Sequence, residues 1–455
     1  MKLSRKRNQF VIFFIDICIL VLSLFLTFLV RHGKIASLPY YLLHTKYFIP
    51  IFITWIVMLY TLNYYSLEKD YTTHSSIIGI FFIAVLASLI GFAEFYLLPN
   101  LVIFPKTVLV IFNILTGILL VIWRVCYSFY FFHYKRKINV ILIENNDTIP
   151  SLLAEIQKFS YFKFAIKGIY LPSETDQDIP KEITVFNTVE DLEKASIETA
   201  VYVLPHEYPL TDKKLSKFLF SELSRGCMFF SLPNFYELIS RKIPLGAINE
   251  TWLIQNITTT AKKTYFIVKR LVDILISLIL LVPICAITPF VALIIKLESS
   301  GPVFFKQNRE GQKRKIFTIY KFRTMTVDNN DFKPTGVSDN RITKFGNFMR
   351  KTRIDELPQI FNVLKGDMSL IGPRPERPEL SIDLEKEIPF YTQRLIVKPG
   401  ITGWDQVSGE YHSPSVEDTY KKLQYDLYYI KNISLSLDIS IFFKTIMTIF
   451  KKVGR

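Results

Sequence analysis

Four long apolar runs fill the first third of the chain, at about residues 9 to 30, 47 to 65, 76 to 98 and 104 to 132. Each is near or above the ~20 residues a helix needs to cross hydrocarbon, which predicts four membrane-spanning helices. Basic clusters stand outside both ends of the set, Lys2 to Arg7 before it and Lys135, Arg136 and Lys137 after it. They place both flanks on the cytoplasmic side. The first run follows its basic residues as a secretion signal would, but its length and the spans after it read as an uncleaved anchor. Asp16 and Arg124 interrupt the apolar runs, where an unpaired charge costs about 2.5 to 3.5 kcal/mol. Pairing across the first and fourth helices removes that cost, and a structural ion pair is favoured over a transport path.

From residue 138 to about 258 the pattern changes. Short β-rich strings (INVILI, FKFAIKGIYL, TAVYVL) alternate with helical ones (SLLAEIQKF, DKKLSKFLFSEL), the signature of a parallel α/β layer. The turn after the first string, in NVILIENNDTIPSLLAEI, lacks the glycines that cradle a dinucleotide, so no bound dinucleotide is expected. Asp176-Gln177-Asp178 resembles a metal-holding DxD string, but Pro172 and Pro180 mark it as a solvated loop.

A fifth apolar run, LVDILISLILLVPICAITPFVALIIKL, is also long enough to span. A simple crossing would carry the rest of the chain outside, although Lys296, Lys306, Arg309, Lys313, Arg314 and Lys315 follow it as a cytoplasmic flank does. A re-entrant helix over 272–296, broken near Pro283 and Pro289, reconciles the two signals; a kinked spanning helix is the alternative. From Ser434 onward, Ile439, Phe442, Phe443, Ile446 and Ile449 recur at mostly helical spacing beside basic residues. This predicts an amphipathic C-terminal helix, lying either in the membrane interface or against the soluble fold.

Half of the 455 residues are hydrophobic, which excludes an ordinary soluble protein. With 55 Lys and Arg against 40 Asp and Glu, the +15 charge suits anionic head groups or phosphate-bearing substrates. Nucleic acid is not expected, since no nucleic-acid motif recurs. Cys18, Cys126, Cys227 and Cys285 have no paired or metal-type spacing and read as packing residues.

Chemistry concentrates between residues 301 and 405. Asp355 and Glu356 precede an apolar helical face of Leu357, Ile360, Phe361 and Leu364, which puts both carboxylates in a first helical turn. Arg350, Lys351 and Arg353 stand just before them, a surround expected to lower carboxylate pKa values and attract phosphate. Adjacent side chains diverge by about 100° on a helix, so the pair divides its labour. One carboxylate attacks phosphorus to give an acyl phosphate, and the other holds Mg²⁺ against a pyrophosphate. Arg374, fixed between Pro373 and Pro375, offers a directed guanidinium. Lys321 and Arg323 flank Phe322 as on a strand presenting two cations to one face.

The strings KRLVD, LESSGPVFFKQNREG, YKFRTM, RIDELPQIFNVLKGDMSLIGPRPE, VKPGITGWDQV and YDLYYIKNISLSLDI, between Lys269 and about Ile439, resemble those of the polyprenyl-phosphate phosphoglycosyltransferases, also called bacterial sugar transferases. With four preceding helices and an α/β unit, the chain is similar to the large members that begin capsule, exopolysaccharide or O-antigen units. The resemblance implies a membrane bundle of four spans (1–134), a Rossmann-like cytoplasmic α/β domain (135–258) and a mostly α catalytic domain with the re-entrant helix (259–455). It implies Asp355 as nucleophile, Glu356 as Mg²⁺ ligand, and Lys321, Arg350 and Arg374 as phosphate or donor contacts, with Arg323, Arg353, Gln359 and Arg394 as further substrate contacts. The implied reaction moves a hexose-1-phosphate from a UDP-sugar, glucose or galactose, to undecaprenyl phosphate in the inner membrane, releasing UMP. It also points toward a homodimer. One departure is Cys285-Ala286, where the family often breaks its re-entrant helix at a Ser-Pro pair. The alternatives are a catalytically silent scaffold for polysaccharide assembly and an Asp-dependent phosphate-ester hydrolase.

Overall fold

A computed structural model describes residues 2–33, 37–62, 64–65, 71–97, 106–134, 138–143, 153–154, 164–171, 183–195, 199–205, 212–257, 262–326, 341–408 and 415–450. These form two compact units, divided after residue 137.

The first unit holds four helices: α1 (Lys2–His32), α2 (Leu38–Thr61), α3 (His74–Leu97) and α4 (Lys106–Tyr134). All four are long and apolar enough to cross a membrane. α2 starts well before the expected residue 47 because Ser37 is extended and a proline occupies the first turn, where its missing N–H costs nothing. Leu20, Leu24, Phe48, Trp55 and Phe112 are fully covered. The expected ion pair is present: Arg124 donates to Asp16 at 2.5 Å, both side chains are fully buried, and the guanidinium lies 5.5 and 5.1 Å from the rings of Tyr65 and Tyr71. A polar relay that the sequence did not reveal ties three helices, as Trp55 donates to Asn113 (2.8 Å) and Asn113 to Ser88 (3.0 Å). Replacing Asp16 by Ala strands the buried guanidinium and is expected to cost about 3–5 kcal/mol. Thermal melts in detergent check this, with D16A/R124L recovering most of the loss.

The second unit opens with a fully parallel sheet of order β3-β2-β1-β4-β5: β1 (Ile138–Ile143), β2 (Phe164–Tyr170), β3 (Thr184–Phe186), β4 (Thr199–Leu204) and β5 (Met228–Ser231). Central strands buried on both faces require the continuous apolar run seen at Val140, Ile141 and Leu142. Helices α5 (Val189–Ala195) and α6 (Lys213–Ser224) accompany the sheet, the latter capped by Asp212. The glycine-free turn, Asp176–Asp178 and most of SLLAEIQKF lie outside the described residues. α7 (Leu232–Ser240) and α8 (Glu250–Asn256) join the sheet to the remainder. Glu237 accepts from Lys431 (2.7 Å) and Asn432 (2.6 Å), and Trp404 donates to the Arg241 carbonyl (3.1 Å).

The fifth apolar run is a single helix, α9 (Lys263–Glu298), with Pro283 and Pro289 inside it. It begins earlier than the expected 272, and the expected break is not a non-helical gap. Each proline removes one backbone donor, which a helix can absorb without leaving helical geometry. Both ends meet the same fold. Arg270 donates to the carbonyls of Val363 and Leu364 near the start, while Val291 and Ile295 pack on Phe322 and Met349 near the end.

Beyond α9 come an antiparallel hairpin, β6 (Phe304–Glu310) and β7 (Ile316–Phe322), then α10 (Lys344–Thr352), α11 (Ile360–Lys365), β8 (Ser369–Ile371), α12 (Pro378–Glu387), β9 (Gly400–Thr402), α13 (Val416–Asn432) and α14 (Leu435–Phe450). The C-terminal helix packs against this fold: Ile441 and Phe443 are buried, and the Asp438 carboxylate accepts from Tyr265, Tyr429 and Lys269. Ile439, expected on the apolar face, is exposed.

Candidate active site

α10, capped by Thr343, stops at Arg353, whose left-handed backbone (φ 59°) turns the chain. A 3₁₀ segment, Ile354–Gln359, then leads into α11. Asp355 and Glu356 therefore sit in a tighter turn than the expected α-helix. Consecutive side chains diverge by about 120° in such a turn, and the two carboxylates enter different surroundings. In α11, which follows, Ile360 and Val363 are buried while Phe361, expected on the apolar face, is exposed.

Glu356 is buried and ringed by cations. Its Oε1 accepts from Lys321 (2.9 Å) and Arg374 (2.7 Å), its Oε2 faces the second Arg374 nitrogen (3.4 Å), and Arg353 approaches to 3.7 Å. Burial opposes its ionisation, but Arg374 and Lys321 outweigh that and hold its carboxyl well below the usual range. Asp355 is buried too, yet its Oδ1 has no hydrogen-bond partner among the described residues. Burial, then the neighbouring Glu356 charge, raise its pKa above 3.8 against the pull of Lys321, Arg353 and Arg374. This corrects the expectation that the basic surround lowers both carboxylates: the cations are committed to Glu356.

The frame around these groups is rigid. Asn362 donates to the Thr318 carbonyl (2.7 Å) and accepts from the Tyr320 amide (3.2 Å), which locks β7 against α11 and fixes Lys321 over Glu356. β8 and β9 approach so closely that a Cβ on Gly400 would lie 2.1 Å from the Gly372 nitrogen, and this sets the turn that carries Arg374.

Residues 264–452 match the family described as bacterial sugar transferase. Over 193 residues the chain is 44% identical to the uncharacterized sugar transferase EpsL of Bacillus subtilis, covering 41% of this chain and 90% of that relative. The chain belongs to the bacterial sugar transferase family. It is also similar to the UDP-N-acetylgalactosamine-undecaprenyl-phosphate N-acetylgalactosaminephosphotransferase of Aeromonas hydrophila, at 49% identity over 42% of this chain and 45% of the relative. Similarity to the UDP-glucose:undecaprenyl-phosphate glucose-1-phosphate transferase of Klebsiella pneumoniae is 33%, over 66% of this chain and 64% of the relative. The match thus spans roughly half to two thirds of these two longer relatives.

Within this sugar transferase segment the remaining site residues fall into two groups. Gln359 is buried one 3₁₀ turn beyond the carboxylates, with its Nε2 unpartnered among the described residues. Arg350 donates to Thr324 (2.9 Å). Arg323 lies apart from the pair: its guanidinium donates to the carbonyls of Ser299 (2.6 Å) and Ser300 (2.8 Å), closing the end of α9. Lys321 reaches Glu356 while Arg323 reaches Ser299 and Ser300, so the two cations do not serve one site as the expected shared face would have it. Arg394 acts through Arg374, donating to its carbonyl (2.9 Å) and to Tyr391 (3.1 Å) while paired with Asp426 (2.9 Å). Sequence reasoning missed Asn362, Tyr391 and Asp426. Asp426 left a trace, a carboxylate inside the apolar string YDLYYI; Asn362 left none.

Proposed function

We propose that this chain transfers a hexose-1-phosphate from a UDP-sugar to undecaprenyl phosphate at the cytoplasmic face of the bacterial inner membrane, beginning a capsule, exopolysaccharide or O-antigen unit. The observation that carries this reading is the buried, unpartnered Asp355 oxygen beside a carboxylate that gathers Lys321 and Arg374. Asp355 attacks the phosphorus bearing the sugar, forming an acyl phosphate as the bond to the UMP oxygen breaks. The acceptor phosphate then displaces Asp355, giving the lipid diphosphate sugar and restoring the carboxylate. Lys321 and Arg374 hold the phosphate oxygens on which charge develops, and Arg394 keeps Arg374 in place.

Two adjacent carboxylates, one with a free oxygen, fit Mg²⁺, which takes one or two protein carboxylates plus substrate phosphates. Held through the unpartnered Asp355 oxygen, and by Glu356 where Lys321 and Arg374 turn to the substrate phosphates, it would neutralise pyrophosphate charge. A re-entrant α9 is supported by the contacts of both its ends with one fold, since a spanning helix puts its ends on opposite sides of the bilayer.

The test is UMP release by the purified chain with Mg²⁺ and undecaprenyl phosphate, across UDP-glucose, UDP-galactose and UDP-N-acetylgalactosamine. One donor is expected to yield UMP and a lipid-linked diphosphate sugar. No UMP from any donor in a wider UDP-sugar panel would remove the reading.

A further inference from the structure

We propose that an open groove at the start of α9 is where the phosphate and first isoprene units of the acceptor lipid dock before that phosphate moves on to Asp355, an inference that rests on the transfer reaction proposed above. The groove holds about 1000 Å³, and Lys263, Arg270, Lys313 and Arg314 line it with no carboxylate among the described residues. Arg314 is paired with Glu385 (2.5 Å). Among the described residues Arg270 donates to the neutral carbonyls of Val363 and Leu364 and to no carboxylate. Lys263 and Lys313 are exposed, with no ion pair among the described residues. A second convergence stands beside them: a Cβ on Gly366 would lie 3.5 Å from Arg270 and 3.8 Å from the Lys398 ammonium. Burial, then the Arg270 charge, lower the Lys398 pKa. Asp273 and Asp367 pull the Lys398 pKa the other way, but among the described residues no carboxylate lines the groove beside Lys263, Arg270 and Lys313, and cations so placed call for an anion.

The apolar part of the groove says which anion. Phe266, Ile267 and Leu271 lie on one stripe of α9 and Leu395 faces them. The stripe continues through Leu275 and Leu278, and from Ile267 to Leu278 it is half or more exposed. A water-soluble nucleotide has no use for such a track, whereas a polyisoprenyl chain can follow it from the groove into the apolar run. At the other end, Leu395 also lines a small cavity with Arg374, so the groove backs onto the wall of the reaction site.

The test uses the full chain in nanodiscs and separates two half-reactions. In K263Q/K313Q the burst of UMP from the donor is expected to be unchanged, while KM for undecaprenyl phosphate rises on the order of tenfold, as for loss of charge-assisted contacts; K263R/K313R should restore it. An unchanged acceptor KM overturns the groove assignment, as does a burst that falls with it. A KM shift that vanishes in purely zwitterionic nanodiscs also overturns it, because the lysines then serve bulk anionic lipid. Absence of a wild-type burst defeats the transfer reaction itself, which is a separate failure.

Discussion

Asp355→Asn is expected to lower turnover by roughly 10⁴-fold or more, the order seen when a covalent nucleophile is lost, with the fold intact. The amide keeps the shape of the side chain and removes a charge that burial disfavours, so the melting temperature should hold or rise at neutral pH. The sign follows from the raised pKa. In the folded protein this carboxyl keeps its proton to higher pH than in the unfolded chain, so ionising it costs stability above 3.8, and Asn escapes that cost. The same shift governs rate. Lowering the pH protonates Asp355 and silences the nucleophile, so single-turnover UMP release should show an acid limb above the ordinary aspartate value of 3.8. Near-normal turnover in the Asn variant would sink the assignment.

Glu356→Gln should damage both stability and rate. One buried carboxylate serves Lys321, Arg374 and Arg353, and removing its charge leaves these cations facing one another. About 3–5 kcal/mol of stability is expected to go, with a rate loss on the order of 10²–10³ as the phosphate-binding cations lose their alignment. Glu356 also helps to raise the Asp355 pKa. The acid limb of any residual activity should therefore move to lower pH, a shift that a merely structural role for Glu356 would not produce. Thermal melts and a pH series on one preparation read both effects.

Much of this architecture was legible in the chain itself. Long apolar runs have few alternatives to membrane helices, and a strand buried on both faces must read as Val140-Ile141-Leu142 does, so the bundle and the parallel sheet follow from burial alone. The Asp16–Arg124 pair was readable as well, because a charge in hydrocarbon demands a partner of opposite sign. Asp355, Glu356 and Arg374 stood out by residue type and local punctuation. What the sequence could not assign was where each cation spends its charge. Arg323 closes α9, Arg394 braces Arg374, and Lys321 meets Glu356 across 35 positions of sequence. The opposite pKa shifts of two adjacent acids belong to the same class. Residue types and spacing fix a helix, a strand or a local charge cluster, because those depend on near neighbours. The division of labour between Asp355 and Glu356 depends on distances set by β7, α11 and the β8–β9 contact, which only the packed chain brings together.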